Sequence, residues 1–213
     1  RKVSWEAGLE RITGGDERLE SREAQATFGV DFNSGDIATI TYTRIYEFLR
    51  APFQIARGVA LPVGAYRFQG VSANYRLAPQ RRIGQGGVSF THGRFYRGNR
   101  TGLGYNPRME VTSQLAVEPR VSLDWVDLPQ GRFKARLITT RAIVTPSPRM
   151  LISSLAQYNG SDHTLSSSVR LRWEYTAGSD LFVVYSDGRD TSVGAPRMLN
   201  RSLVLKITRL LRF

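Results

Sequence analysis

Histidine is the side chain best suited to acid–base chemistry near neutral pH, and this chain contains only His92 and His163. His163 ends the polar segment Asn159-Gly160-Ser161-Asp162-His163, which holds the residue types of a serine hydrolase within five positions. Closeness in sequence does not create triad geometry, and Asn, Gly, Ser and Asp are also the usual residues of tight turns. We therefore predict no catalytic residues, and keep a hydrolase that uses Ser161 and His163 as an alternative.

Metal and cofactor chemistry has equally little support. The chain has no cysteine, which excludes a disulfide framework and thiolate metal sites. The segment Asp187-Gly188-Arg189-Asp190 offers two carboxylates for calcium, an ion that takes 6–8 oxygen ligands. We predict no metal site and no cofactor.

Arginine dominates the charge. The net charge is +12, and only Lys2, Lys134 and Lys206 among the basic residues are lysines. The arginines occur singly, without a basic run or an amphipathic basic helix, so we predict no nucleic-acid binding. Arginine also pairs well with phosphate groups through two parallel hydrogen bonds.

Apolar and polar residues alternate clearly in five segments and more faintly, with mixed faces, in seven others, and a period of two is that of a β-strand. Arg170, Arg172 and Glu174, for example, alternate with Leu171 and Trp173. Twelve segments are predicted as strands: residues 2–10, 23–32, 37–48, 66–77, 83–95, 100–109, 114–125, 133–144, 150–157, 166–175, 180–185 and 202–213. The fold class predicted is all-β.

The links between these segments favour a membrane protein. Short turns at 33–36, 78–80, 111–113, 145–148 and 176–179 are predicted to alternate strictly with longer links at 13–22, 49–65, 96–99, 126–132, 158–164 and 186–201. Bacterial outer-membrane barrels have short periplasmic turns and longer extracellular loops. No apolar run approaches the ~18 residues of a membrane-spanning helix, and the mean hydropathy of −0.29 is compatible with strands that face lipid on one side only.

We therefore predict an antiparallel, up-and-down transmembrane β-barrel of about twelve strands, formed by residues 1–213 as one domain. Its location would be the bacterial outer membrane, with both termini in the periplasm. Outer-membrane lipids and lipopolysaccharide are the partners expected from the outward apolar residues and the arginines. Aromatic residues near strand ends, Tyr66 and Phe68 among them, are expected to form interfacial girdles.

Charged residues on the opposite face are the predicted lining of the lumen. They are Glu6, Glu10, Arg100, Arg108, Glu118, Arg120, Asp124, Arg170, Arg172 and Glu174. Such charges either pair across strands and fill a narrow barrel, or line a pore for anionic or sugar solutes. A barrel of ~8 strands is filled and one of ~16 leaves a channel, so twelve strands leave both roles open.

The final segment has the features of a barrel-assembly signal. Ile207, Leu211 and Phe213 fall on one face of a strand that ends on an aromatic residue. Such a strand adds to an exposed β-edge during insertion, so we expect the barrel-assembly machinery to read these three residues.

Three stretches carry a resemblance to a known family. They are residues 47–66, residues 126–131, and residues 171–191 with the Arg-Leu-Leu-Arg-Phe ending. Together they resemble the C-terminal barrel of the bacterial family called domain of unknown function 5916. The resemblance implies that the chain is the C-terminal part of a longer protein, that its barrel could extend upstream, and that a periplasmic domain similar to carbohydrate-binding module family nine precedes it. It implies no catalytic residues.

Three functions thus stay open. The first is a pore or transporter, or a membrane anchor for a periplasmic domain or other envelope proteins. The second is a soluble all-β module that binds acidic glycans. The third is an outer-membrane hydrolase.

Overall fold

The computed structural model describes residues 1–15, 17–80 and 85–210. These residues form fifteen strands: β1 (Lys2–Thr13), β2 (Leu19–Asp31), β3 (Ile37–Leu49), β4 (Phe53–Ala56), β5 (Val59–Leu61), β6 (Gly64–Leu77), β7 (Gly86–Phe95), β8 (Gly98–Tyr105), β9 (Met109–Glu110), β10 (Leu115–Leu128), β11 (Gly131–Ser147), β12 (Met150–Asn159), β13 (Thr164–Thr176), β14 (Ser179–Asp190) and β15 (Arg197–Thr208). Within this described part, no helix is long and apolar enough to cross a membrane.

Twelve of these strands make one continuous path of neighbours, β1-β2-β3-β6-β7-β8-β10-β11-β12-β13-β14-β15. β9 adds to β10, and β4 pairs with β5 in a separate hairpin. The registers determined for neighbouring strands are all antiparallel. The all-β antiparallel prediction is confirmed, and each predicted strand corresponds to one strand of the path.

The predicted strict alternation of short and long links is wrong. The β7–β8 connection is only Tyr96-Arg97, and the β10–β11 connection is only Pro129-Gln130. Strand pairing continues through polar residues at these ends, so the predicted longer links become parts of strands. The predicted short turn at 145–148 shrinks to two residues for the same reason, because β11 extends to Ser147.

The described residues divide into two compact units. The first contains residues 1–15, 17–80, 85–105 and 122–135, and the second contains residues 106–121 and 136–210. In each unit, we use the name loop end for one end of the strands. It is the end beside the connections β1–β2, β3–β6, β7–β8, β10–β11, β12–β13 and β14–β15.

One face of the sheet in the first unit is apolar and exposed. The register places Trp5, Phe28, Ile40, Ala73 and Phe90 in one row across five strands. Neighbouring rows add Val3 and Val30, Leu9 and Ala24, and Tyr42 and Val71. Trp5 is 79% exposed and Leu9 is 74% exposed, so the described residues leave these two apolar side chains uncovered. We call it the apolar face.

The opposite face of the same strands is polar. The row that follows Glu6 contains Thr27, Thr41, Ser72, Thr91 and Gly102, and the row that follows Ser4 contains Gly29, Thr39, Asn74 and Ser89. Because side chains alternate between faces along a strand, the middle of these strands has its large apolar residues on one side and its small polar residues on the other. We call this side the polar face.

The second unit has the same two-sided pattern. Ile152, Leu171, Val183 and Leu205 form one apolar row, and Met150, Trp173, Leu181 and Ile207 form the next. Leu205 is 62% exposed and Ile207 is 64% exposed. The opposite side contains Arg141, Arg170, Arg172 and Lys206, together with the exposed Leu151, Leu155 and Val204.

A cluster of buried hydrophobic side chains lies between the β4–β5 hairpin and the loop end of the polar face in the first unit. The β4–β5 hairpin packs Val59 and Leu61 against Tyr66, Tyr96, Val126 and Leu128, and Leu61 is completely buried. Tyr66 and Val126 occupy polar-face positions by strand alternation, so the hairpin covers the loop end of the polar face in the first unit. The hydroxyl of Tyr66 donates a hydrogen bond of 2.6 Å to the carbonyl oxygen of Pro62 and holds the hairpin in place.

This cluster corrects the predicted aromatic girdle at two positions. Tyr66 is 2% exposed, and Phe68 packs on Phe95 and Tyr96 with ring centroids 5.7 and 5.0 Å apart. Both rings pack in the core beneath the hairpin, because their positions in β6 place them on the polar face.

Candidate functional site

A basic cavity of about 290 Å³ lies on the polar face of the second unit. Its charged lining consists of Arg108, Arg120, Arg141 and Glu118. β10 positions Glu118 and Arg120 two residues apart and therefore on one face, and β11 positions Arg141 opposite Leu155 of β12. Pro119 between them also lines the cavity.

Three guanidinium groups face one carboxylate in this cavity, so positive charge is in excess. Glu118 pairs with Arg108 through Nη1, and Arg108 Nε also lies 3.8 Å from Glu110 Oε1. Arg120 and Arg141 make no ion pair with any described residue. Two free guanidinium groups beside a small cavity are suited to an anionic group, which accepts hydrogen bonds from both.

The polar face of the first unit has a second cavity, of about 300 Å³. Its polar lining includes Glu23, Thr43, Ser72 and Arg100, and Phe68 and Phe95 of the aromatic cluster close its loop end. Gly70 and Gly93 face each other across the β6–β7 pair here, and a Cβ at Gly93 would collide with the backbone of Gly70 and Gln69. The two glycines therefore permit a close approach of these strands.

Arg100 and Asp124 are joined on this face. Arg100 Nε lies 2.7 Å from Asp124 Oδ1, and the Asp124 side chain is largely buried. A Cβ at Gly102 would lie 2.7 Å from the same carboxylate oxygen, so glycine at this position leaves room for the pair. This ion pair joins β8 and β10 on the polar face.

Above the second cavity, Tyr96 links the β7–β8 turn to β3. Its hydroxyl donates a hydrogen bond of 3.0 Å to Glu47 Oε2. Burial raises the pKa of the Tyr96 hydroxyl well above its ordinary value, and the hydrogen bond to Glu47 raises it further. The neutral hydroxyl therefore remains a donor to Glu47 at any physiological pH.

The remaining predicted lumen residues are dispersed. Glu6 lies opposite Thr27, and Glu10 lies directly opposite Glu23, both on the polar face. Arg170 lies between Ser153 and Val184 on the polar face of the second unit. Neither Glu6, Glu10 nor Arg170 makes an ion pair with a described residue.

Two predicted residues serve the β13–β14 turn. Arg172 Nε lies 3.3 Å from Asp180 Oδ1 across the hairpin. Glu174 Oε1 accepts a hydrogen bond of 3.0 Å from the backbone amide of Gly178. These side chains stabilise the end of a hairpin, and the structure does not bring them to either cavity.

The predicted assembly signal is only partly described. Ile207 lies on the apolar face of β15, opposite Leu181. Leu211 and Phe213 lie outside the described residues.

The hydrolase residues form a turn. The side-chain oxygen of Asn159 accepts a hydrogen bond of 3.0 Å from the amide of Ser161, and Asn159 Nδ2 donates to Asp162 Oδ2 at 2.7 Å. No hydrogen bond joins Ser161 to the His163 ring in the described part of the chain. His92 Nδ1 lies 2.9 Å from Thr101 Oγ1 on the apolar face.

The candidate calcium segment is a strand rather than a loop. Asp187 lies in β14, where its carboxylate meets Arg189 Nε at 2.7 Å and Arg201 Nη2 at 3.1 Å. Two guanidinium groups thus already bind the Asp187 carboxylate, which a calcium site in this segment would require as a ligand.

Sequence reasoning missed Arg141 and the β4–β5 hairpin. Apolar and polar residues do not alternate regularly around Arg141, which lies between Thr140 and Ala142. A period of two therefore did not assign Arg141 to the lumen face. The hairpin did carry a signal, because Phe53, Ile55, Val59 and Leu61 are an unusual concentration of apolar residues for an exposed loop.

No family model and no curated protein matches the chain, so the resemblance to domain of unknown function 5916 stays a prediction. Among solved structures, the chain is similar to one described as the NanC porin in a rhombohedral crystal form. The sequences are 11% identical, the match covers 95% of this chain and 96% of that chain, and the TM-score is 0.37.

Proposed function

We propose that this chain is an outer-membrane β-barrel whose polar face lines a passage with a preference for anions. The observation that carries the proposal is the two-sidedness of the sheet. Exposed large apolar residues lie mainly on one face, among them Trp5, Ile40 and Phe90 in the first unit and Trp173, Leu205 and Ile207 in the second, and the other face contains most of the small polar residues and the basic cavity. Water disfavours an exposed apolar face of this extent, whereas lipid requires one.

Closure is part of the proposal. β1 and β15 are the first and last strands of the path. Among the described residues, each is hydrogen-bonded to a neighbouring strand along one of its edges. In a bilayer every backbone amide and carbonyl must be paired, so the proposed membrane form is a closed barrel without a free strand edge. The even number of strands on the path then places both termini on the same side, which we assign to the periplasm.

The basic cavity supplies the basis for solute preference. Arg120 and Arg141 are fixed on strands, which position charges more precisely than loops do. A unit charge ~8 Å from a permeating ion in water changes its energy by roughly 0.5 kcal/mol, which is about a twofold change in partition for each charge.

Replacing both Arg120 and Arg141 by glutamine is expected to lower the anion-to-cation permeability ratio up to about sixteenfold before salt screening, because each lost charge lowers anion partition about twofold and raises cation partition about twofold. The measurement is the reversal potential of single channels in a planar bilayer with a potassium chloride gradient. The matched control is Lys134→Gln with Arg136→Gln, which removes the same charge from the other face of β11. An unchanged ratio in the cavity variant would exclude this cavity as the selectivity determinant.

A membrane anchor is the second candidate, favoured by the β4–β5 hairpin that covers the loop end of the polar face. In this form the barrel holds a periplasmic domain and does not conduct. A chain that inserts into lipid with heat-modifiable migration, yet never conducts, would support the anchor and end the pore proposal.

A further inference from the structure

Five arginines form a row on the apolar face of the first unit, immediately beyond its apolar residues at the loop end. Each comes from a different strand: Arg11 from β1, Arg22 from β2, Arg44 from β3, Arg67 from β6 and Arg94 from β7. All five are exposed. We call this set the arginine row.

The register brings these side chains close together. Arg11 lies directly opposite Arg22, and Arg22 lies opposite Tyr46, which in turn lies opposite Arg67. Arg44 occupies the adjacent outward position, opposite Ala24 and Gln69. Directly opposed side chains are about 5 Å apart at Cβ and diagonal ones about 7–8 Å, so neighbouring guanidinium groups can share one ligand.

The described chain gives the row no ion-pair partner, and Glu20, two residues before Arg22 in β2, pairs with Arg50 instead. None of the five arginines forms an ion pair with a described residue. The apolar-face positions within residues 3–11, 22–30, 38–46, 67–75 and 88–94 contain no aspartate or glutamate. Like charges directly opposite each other, as in Arg11 and Arg22, destabilise a sheet unless an anion lies between them.

The second unit is different at the corresponding level of its own apolar face. There Arg189 and Arg201 both contact Asp187, so the chain neutralises its own cations. Arginines at the loop end therefore do not all lack a carboxylate partner. The five arginines of the row do.

We propose that the arginine row binds the phosphate groups of a phosphorylated lipid in the outer leaflet, of the lipid A type found in lipopolysaccharide. The inference rests on the proposed outer-membrane location. The exposed apolar residues next to the row, Leu9, Tyr42 and Val71, contact the acyl chains, and the guanidinium groups bind the phosphates above them. A free phosphate ion would use the arginines but not the adjoining apolar face.

The test measures lipid retention by the detergent-solubilised, folded chain in native mass spectrometry. The variant is Arg11→Gln with Arg22→Gln and Arg44→Gln, and the matched control is Arg57→Gln with Arg76→Gln and Arg149→Gln, which removes equal charge outside the row. The probes are bis-phosphorylated lipid A, its dephosphorylated form and inorganic phosphate. We expect the row variant to retain bis-phosphorylated lipid A at least about tenfold less than the wild type, because each lost hydrogen bond to a charged group is worth about that factor.

Equal retention by the row variant, equal retention of the dephosphorylated lipid, or displacement of the lipid by millimolar inorganic phosphate would each overturn the proposal. Single-channel recording of the same row variant separates this inference from the proposed pore. A variant that conducts normally but has lost the lipid confirms the arginine row as a lipid site, while a wild type that never conducts but retains the lipid refutes only the pore.

Discussion

Replacing Leu205 by arginine is expected to prevent stable insertion into the outer membrane, whereas replacing its neighbour Val204 by arginine is expected to leave insertion intact. Both side chains belong to β15 and are similarly exposed, at 62% and 56%. Leu205 lies on the apolar face opposite Val183, and Val204 lies on the polar face opposite Val184. An arginine that faces lipid costs about 2–4 kcal/mol near the midplane of the bilayer, while one that faces an aqueous lumen costs little.

The measurement is heat-modifiable migration of the membrane fraction together with protease resistance. Val204→Arg is the control for charge and bulk, and the double variant Leu203→Arg with Leu205→Arg should enlarge the defect, because both residues share the apolar face. A soluble module predicts a different pattern, since exposed substitutions in water usually change stability by less than about 0.5 kcal/mol. If both single variants remained folded to the same extent, the lipid-facing assignment would be wrong.

Replacing Leu61 by aspartate is expected to release the β4–β5 hairpin and increase single-channel conductance. Leu61 is completely buried among Tyr66, Tyr96 and Leu128. Loss of a buried leucine costs about 2–5 kcal/mol, and an unpaired buried carboxylate adds several more. The hairpin packs on the cluster through Ile55, Ala56, Val59 and Leu61, so we expect this loss to detach it. In the proposed barrel the hairpin narrows the passage at the loop end, so its release widens the passage.

The control for this prediction is Ala60→Asp, because Ala60 is the adjacent, exposed residue of β5 and receives the same charge. Leu61→Ala supplies a milder loss of packing if Leu61→Asp prevents insertion. Conductance equal to that of the wild type in Leu61→Ala and Leu61→Asp would show that the hairpin does not restrict the passage.

These experiments bear differently on the alternatives. The Leu205 and Val204 pair separates a membrane protein from a soluble glycan-binding module. The Leu61 and Ala60 pair separates an open passage from an anchor that never conducts. A hydrolase would require Ser161 and His163 to act together, and the hydrogen bonds of Asn159 to Ser161 and Asp162 already assign this segment to a turn.

The sequence by itself determined the strand pattern of this protein. The alternation of Val3, Trp5 and Leu9 with Lys2, Glu6 and Glu10 is sufficient to predict β1 and its two faces. The same alternation is clear in five of the twelve predicted segments and faint, with mixed faces, in the other seven, and all twelve correspond to strands of the main path.

Only the tertiary structure decided which charges meet. Arg100 pairs with Asp124, and Arg11 lies opposite Arg22, through registers that no local pattern specifies. A shift of one residue would move every side chain to the other face, so register depends on the whole sheet and its turns. The position of the hairpin likewise depends on Tyr66, Tyr96 and Val126, residues far apart in sequence that only pairing between strands brings together.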